Sequence, residues 1–334
     1  MKHYKVALAG YYGFGNLGDE LLVEAVIAAL LRCGVNRSEI VLMSATPEES
    51  AQKFGVDSVN RWKVSQVCRT LRQSETLLLG GGGLFQDASS LRSCLYYWWL
   101  VRAARFFGVV PWAIGQSVGP LSTRTGRALI RNALSCCRVV QVRDAASEAL
   151  CDSLGLTVEI GSDLVLSLAD FFTTNENTPP ARLLVNLRPD RHGLSERFAD
   201  AMSVHLHSVS FNGELVGVAF SGEDENLMSR FTREGRLPLS RIERATSLSD
   251  AAKIFHGTEA MGMRLHFLIL AAMAGLPIMA VPYDPKVESF AASQNIPVWR
   301  DGPLPSPRTA SQDFRASLPK LRQNIDDLCR RVLA

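Results

Sequence analysis

The sequence predicts an α/β protein of two Rossmann-like domains facing a central cleft, and three observations carry that expectation. Short apolar runs rich in β-branched residues alternate with longer amphipathic stretches, the mark of a doubly wound, mostly parallel sheet. The alternation breaks at Phe171-Phe172-Thr-Thr-Asn-Glu-Asn-Thr-Pro-Pro180, a polar segment ending in two prolines. A second alternation then begins and runs almost to the end of the chain.

Taken in order, Val6–Ala9, Ile40–Met43, Thr76–Leu79, Val109–Ile114 and Val139–Val142 read as buried strands. Between them Asp19–Arg32, Leu91–Phe107, Thr123–Leu134 and Ala145–Leu154 carry helical periodicity. Beyond the break come strands at Leu183–Leu187, Leu215–Phe220, Thr258–Gly262 and Pro277–Val281. Helices are expected near Ser195–His207, from Glu223, near Asp250–Phe255 and at Leu265–Ala274. Ser311–Leu333 reads as a terminal helix. The division is therefore a domain over 1–172 and another over 181–334 with the terminal helix. Ligands of such domains bind outside the carboxyl ends of the strands.

A chain of 334 residues suits two ordinary domains, and 47% hydrophobic with 21% charged residues is a globular balance. A net charge of +3 permits anionic small molecules and is too weak to argue for nucleic acid. Seven cysteines without a CxxC spacing fit a reducing, cytoplasmic setting rather than a disulfide framework or a zinc site, and no metal is expected. The longest apolar stretch, from Cys94 to Gly115, is interrupted by Arg102 and Arg105 and does not read as a membrane span. Trp98, Trp99 and those arginines permit peripheral contact with a membrane surface, although a buried helix with snorkelling arginines explains them better.

Gly13-Phe-Gly15-Asn-Leu-Gly18 is a literal GxGxxG between strand and helix. A dinucleotide would need an acid at the end of the second strand, which ends Leu-Met-Ser44, and Asp19 would repel a pyrophosphate at the helix N-terminus. Asp19 is accounted for as an acid at a helix start; the same place also suits a base for a sugar hydroxyl. Gly15 and Asn16 lie in this turn. Gly80–Gly83 follow a strand and strip away side chains where a ligand would approach, with Gly81 and Gly82 central. Gln116 and Ser117, in the equivalent place after the next strand, could offer hydrogen bonds.

Four cations fall at strand ends: Arg143, Arg188, Arg264 and Lys286. Converging ends would gather them around a small, multiply charged anion, since arginine forks match carboxylate and phosphate oxygens and lysine adds a point charge. His266 lies two residues after Arg264. In an extended segment entering a helix the two side chains would share a face, next to the free N–H groups of the helix start. A histidine buried against backbone is the plainer alternative.

These residues carry a resemblance. The blocks Gly-Tyr-Tyr-Gly-Phe-Gly-Asn-Leu-Gly-Asp-Glu20, Leu-Gly-Gly-Gly-Gly-Leu-Phe-Gln-Asp87, Ala-Ile-Gly-Gln-Ser-Val-Gly-Pro120, Val-Arg-Asp144, Gly-Met-Arg-Leu-His266 and Pro-Tyr-Asp-Pro-Lys286 resemble the polysaccharide pyruvyl transferase family. They stand in family order over nearly the whole chain, and are most similar to members acting on N-acetylmannosamine of bacterial secondary cell-wall polymer. The resemblance implies a GT-B-like pair of domains, with phosphoenolpyruvate as donor co-substrate, no other cofactor, and a 4,6-linked pyruvate ketal as product. It implies that Arg143, His266 and Lys286 bind the donor with Arg264 and Arg188 around it, and that Asp19 is the catalytic acid. The residues themselves leave open which of Asp19 and His266 acts as acid and which as base. A lipid-linked acceptor at the cytoplasmic face of a membrane, and an oligomer, are both compatible. Ser117 departs from the glycine common at its place. Two alternatives share the features: a GT-B nucleotide-sugar glycosyltransferase, and a non-catalytic sugar- or anion-binding module.

Overall fold

A computed structural model describes residues 3–87, 91–172 and 182–334. The proline-ended break expected at Phe171–Pro180 lies outside the described residues from 173 on. The described contacts gather into two compact units. One comprises Met1–Phe14, Asp19–Ser167 and Pro319–Ala334, and the other Gly15–Gly18 and Leu168–Leu318.

Apolar runs with both faces buried can pair in parallel only through a crossover, and the first unit repeats that step throughout. Its elements are β1 (Tyr4–Ala9), α1 (Leu17–Arg32), β2 (Ile40–Ser44), α2 (Pro47–Phe54), β3 (Asp57–Asn60), α3 (Val64–Arg72), β4 (Ser74–Phe85), α4 (Leu91–Phe106), β5 (Val110–Val118), α5 (Arg124–Leu134), β6 (Val140–Val142), α6 (Ala145–Ser153) and β7 (Glu159–Ile160). The strands form one sheet in the order β3-β2-β1-β4-β5-β6-β7, and its described pairings are parallel. Leu77, Leu79, Tyr97, Leu100 and Ile130 are among the residues that fill the core on one side of it.

The second unit holds β8 (Arg182–Asn186), α7 (Leu194–Ser208), β9 (Glu214–Ala219), α8 (Gly222–Arg233), β10 (Arg241–Arg244), α9 (Leu248–Ile254), β11 (Glu259–Gly262), α10 (Leu265–Ala274), β12 (Ile278–Ala280) and α11 (Pro285–Ser293). Its parallel sheet runs β10-β9-β8-β11-β12. Val185, Phe198, Met228, Phe231 and Trp299 pack its core. The helix α10 is apolar on nearly every side and buried along its length, as a helix without a polar face must be. The terminal helix α12 (Gln312–Leu333) belongs to the first unit from Pro319 onward.

Two strands run past their expected ends for a physical reason: β4 past Leu79, and β5 past Ile114 to Val118, so that Gln116 and Ser117 lie within β5 rather than after it. Gly80–Gly83 do not form a loop after β4 but continue it, and pairing with β5 persists to Phe85 opposite Val118. Gly81 and Gly82 take φ of +77° and +89°, and the register shifts after Gly82. Only glycine accepts such angles at little cost. The strands β3 and β10 were not anticipated because they are polar, short edge strands without an apolar run. Within α4, Tyr97, Leu100, Val101 and Ala104 are buried, Trp98 donates to Asn132 Oδ1 at 2.9 Å, and Arg102 and Arg105 stay exposed. Among the described residues no helix is long and apolar enough to cross a membrane.

Candidate active site

In the second unit the carboxyl ends of three adjacent strands each deliver predicted residues. Arg188 follows β8, Arg264 and His266 follow β11, and Lys286 follows β12. Arg264 is the extended N-cap of α10, with φ −75° and ψ 131°. Its backbone N–H donates to Asn186 Oδ1 at 3.0 Å, and Asn186, fully buried, donates in turn to the Val218 carbonyl at 2.8 Å. The guanidinium is gripped from the start of α8, by its N-cap Ser221 and by Asp224 in its first turn. Nε donates to Asp224 Oδ2 and Nη2 to Asp224 Oδ1, both at 2.6 Å, while Nη2 also donates to Ser221 Oγ at 3.0 Å. Asp224 is wholly buried and also accepts the Phe220 N–H at 3.1 Å. The fork expected to meet a ligand therefore meets Asp224. A planar guanidinium held bidentately is fixed in direction, which suits positioning of the segment that follows it.

His266 sits in the first turn of α10 rather than in an extended segment, so it does not share a face with Arg264 by strand alternation. Its ring fills the space that a side chain on Gly18 would need, which is why that third glycine of the GxGxxG turn has to be small. The Leu17 N–H, at the start of α1, donates to the Phe220 carbonyl at 2.9 Å and so is not offered to a phosphate. Gly15 is exposed with φ +70°, and Asn16 immediately precedes α1.

Arg188 and Lys286 are brought together by a residue the sequence reading passed over. The Arg188 guanidinium carbon lies 4.2 Å from the centroid of the Tyr283 ring and Lys286 Nζ lies 5.9 Å from it. A cation over an aromatic ring is attracted by the ring quadrupole. Lys286 also lies 3.5 Å from Asp284, the N-cap of α11.

In the first unit Arg143 follows β6 and is almost wholly buried, with 4% of its side chain exposed. Nη1 donates to Asp163 Oδ2 at 2.6 Å and Nε to Ser117 Oγ at 2.7 Å. Ser117 passes the contact on, donating to Asp144 Oδ2 at 2.8 Å, and Asp144 caps α6. Gln116 does not reach the surface. It is fully buried, and its amide donates to the carbonyls of Leu79 at 2.9 Å and Ile114 at 3.2 Å, tying β4 to β5. Asp19 stands in the first turn of α1, partly exposed; a Cβ on Gly82 would lie 3.6 Å from its Oδ1, with Gly81 alongside filled by Leu22 and Leu164. Asp87, from the glycine-rich block, is structural: it accepts Ser122 N–H at 2.6 Å and both Thr123 N–H and Oγ1. Burial would raise its pKa, but these hydrogen bonds outweigh that and hold it below the usual carboxylate range.

Three of the four predicted cations thus lie against an aspartate, and four partners were missed: Asn186, Asp224, Asp163 and Tyr283. The available signal was that each stands at or just beyond the carboxyl end of a strand, as the cations do.

The fold is shared with solved structures at low identity. A putative UDP-N-acetylglucosamine 2-epimerase from Listeria monocytogenes is 11% identical with a TM-score of 0.59, over 99% of this chain and 91% of that one. A glycosyltransferase from Rickettsia africae is 12% identical with a TM-score of 0.58, over 99% and 93%. The S. aureus MnaA–UDP structure is 10% identical with a TM-score of 0.58, over 97% and 91%. These likenesses establish the GT-B-like pair of Rossmann-like domains and nothing beyond it. No curated protein sequence matches the chain. The family model for polysaccharide pyruvyl transferase matches residues 16–285, from the glycine-rich turn to the start of α11. With that match spanning most of its length, the chain belongs to the polysaccharide pyruvyl transferase family.

Proposed function

We propose that this transferase moves the pyruvyl group of phosphoenolpyruvate onto two hydroxyls of one saccharide, releasing phosphate and leaving a cyclic ketal. The observation that carries the reading is the pairing of Arg188 and Lys286 on Tyr283, next to the strand that leads into Arg264 and His266. Such an arrangement suits a small donor bearing both a carboxylate and a phosphate.

A proton is added to the methylene carbon of phosphoenolpyruvate, leaving an oxocarbenium-like centre at the neighbouring carbon. A sugar hydroxyl attacks that centre and loses its proton to a base. The bond to phosphate oxygen then breaks, and a second hydroxyl closes the ring and gives up its own proton. Arg188 and Lys286 hold donor oxygens and stabilise the departing charge. Arg264, clamped by Asp224, fixes the start of α10 and with it His266. Arg143, clamped by Asp163 and Ser117, contributes a fixed positive charge at the carboxyl end of β6. We assign His266 as the acid and Asp19 as the base, with the saccharide beside Gly15 and Asn16; the space at Gly81 and Gly82 is taken by Leu22, Leu164 and Asp19. The reading includes a 4,6-ketal on N-acetylmannosamine of a cell-wall polymer precursor, lipid-linked at the cytoplasmic face of the membrane, of the kind made by CsaB. It includes no bound metal.

Phosphate release is the test. His266→Ala and Lys286→Ala should each lose about 10²–10⁴-fold in turnover with phosphoenolpyruvate plus saccharide. Normal turnover in His266→Ala would remove its role. Release of nucleoside diphosphate from a UDP-sugar, with none of phosphate from phosphoenolpyruvate, would overturn the whole reading.

A further inference from the structure

Three exposed aromatic residues and the partly buried Tyr96 gather around one buried cation in the first unit. Tyr11 and Phe14 stack at 4.0 Å between centroids with 11° between their planes. Trp62 meets Phe14 edge-on at 6.3 Å, and Tyr96 lies 5.8 Å from Trp62. Arg61, only 4% exposed, sets its guanidinium carbon 5.3, 5.1 and 4.6 Å from the rings of Phe14, Trp62 and Tyr96. It is anchored from within by the Gly10 carbonyl and by the Tyr97 hydroxyl, the latter at 3.2 Å. The rings are thus ordered by a cation that is not itself presented to solvent.

A fold that needed these rings for its core would not leave them open. Tyr11 is 48% exposed, Phe14 38% and Trp62 60%. Exposed apolar groups that cluster mark a binding surface far more often than single ones do. Their place is also informative. Tyr11 and Phe14 follow β1 and Trp62 follows β3, at the carboxyl edge where ligands of such sheets bind. The Gly13 N–H donates to Glu20 Oε1 at 3.0 Å, folding this aromatic loop back onto the first turn of α1, where Asp19 stands.

We propose that Tyr11, Phe14 and Trp62, with Tyr96 packed against the core beside Trp62, form a stacking platform for a pyranose ring of the saccharide acceptor. The proposal rests on the pyruvyl-transfer reading for the word acceptor, and on geometry for the platform. The C–H face of a pyranose packs flat on an aromatic ring, and rings already ordered bind without paying to be fixed. A lipid surface is the weaker occupant, because Arg61, the cation of this cluster, is almost wholly buried and is not presented to a lipid phosphate. The platform also runs directly into the turn that carries Asp19, as an acceptor site has to.

The experiment titrates methyl N-acetylmannosaminide into the full chain and into Phe14→Ala, Trp62→Ala and Trp62→Phe, with saturation-transfer NMR on the sugar protons. Both alanine variants should weaken binding about tenfold, the value of one stacked ring, and Trp62→Phe should keep most of it. The thermal shift given by phosphoenolpyruvate should be unchanged in all of them, which also shows that they are folded. Equal saccharide affinity in wild type and alanine variants, or no binding by wild type, overturns the platform. So does loss of co-sedimentation with phosphatidylcholine–phosphatidylglycerol vesicles while saccharide binding stays intact. If the glycoside binds through these rings but no phosphate is ever released from phosphoenolpyruvate, the platform stands and the transfer reading falls.

Discussion

Replacing Asp224 by alanine should be among the costliest single changes in the second unit. The carboxylate is wholly buried and accepts from Arg264 Nε, Arg264 Nη2 and the Phe220 N–H. Removing it leaves a cation and a backbone donor without their partner in a packed interior. Breaking a buried pair in this way costs about 3–5 kcal/mol. Because 14% of the Arg264 side chain is exposed, water can recover part of that, and the lower end, about 3 kcal/mol, is expected. Ser221 Oγ still accepts one N–H, which argues in the same direction. The assay is urea unfolding of Asp224→Ala, Arg264→Met and the double variant, with hydrogen exchange read in α8 and α10 to place the loss in this unit. The double variant should recover much of the penalty, giving a coupling of about 2 kcal/mol. A loss below about 1 kcal/mol in Asp224→Ala, or no coupling, would refute the claim that the pair holds the entry to α10.

Two further outcomes follow from the first unit. Ser117→Gly removes the hydroxyl linking Arg143 to Asp144, and hydrogen bonds to charged groups are worth about 1.5–3 kcal/mol, so its denaturation midpoint should fall with an unchanged slope; an unchanged midpoint would show the bridge to be idle. Cys33 has its thiol pKa brought down to about 7 by a hydrogen bond from Cys329, with burial opposing it. Since the thiolate is the reactive form and is gained as pH rises, iodoacetamide labelling of Cys33 should increase through a midpoint near 7, and Cys329→Ala should move that midpoint up toward the usual thiol value of roughly 8.5. A midpoint indifferent to Cys329 would dismiss the pairing.

Much of the fold was legible because its signals are local. The helix α10 was read from the sequence with the bounds it has, Leu265–Ala274, since ten nearly unbroken apolar residues between an extended arginine and a left-handed glycine admit little else. The strands β1, β2, β8 and β9 were found within a residue or two for the same reason. Where local and tertiary demands diverge, the reading erred. Four glycines look like a loop, yet they continue β4 because β5 supplies hydrogen bonds to Phe85.

For the site, the sequence by itself determined which residues stand at strand ends, and that Arg143, Arg188, Arg264, His266 and Lys286 share this topological place. It also carried the family, through blocks whose order is a property of the chain. Only the tertiary structure decided what each side chain meets. Asp163 lies 20 residues from Arg143 and Asp224 lies 40 from Arg264, separations that no periodicity connects. Parallel strand register brings them together. The same register sets Tyr283 beside Arg188 and buries Gln116 between β4 and β5. Backbone pattern is written residue by residue, whereas the partner of a charge is chosen by the sheet.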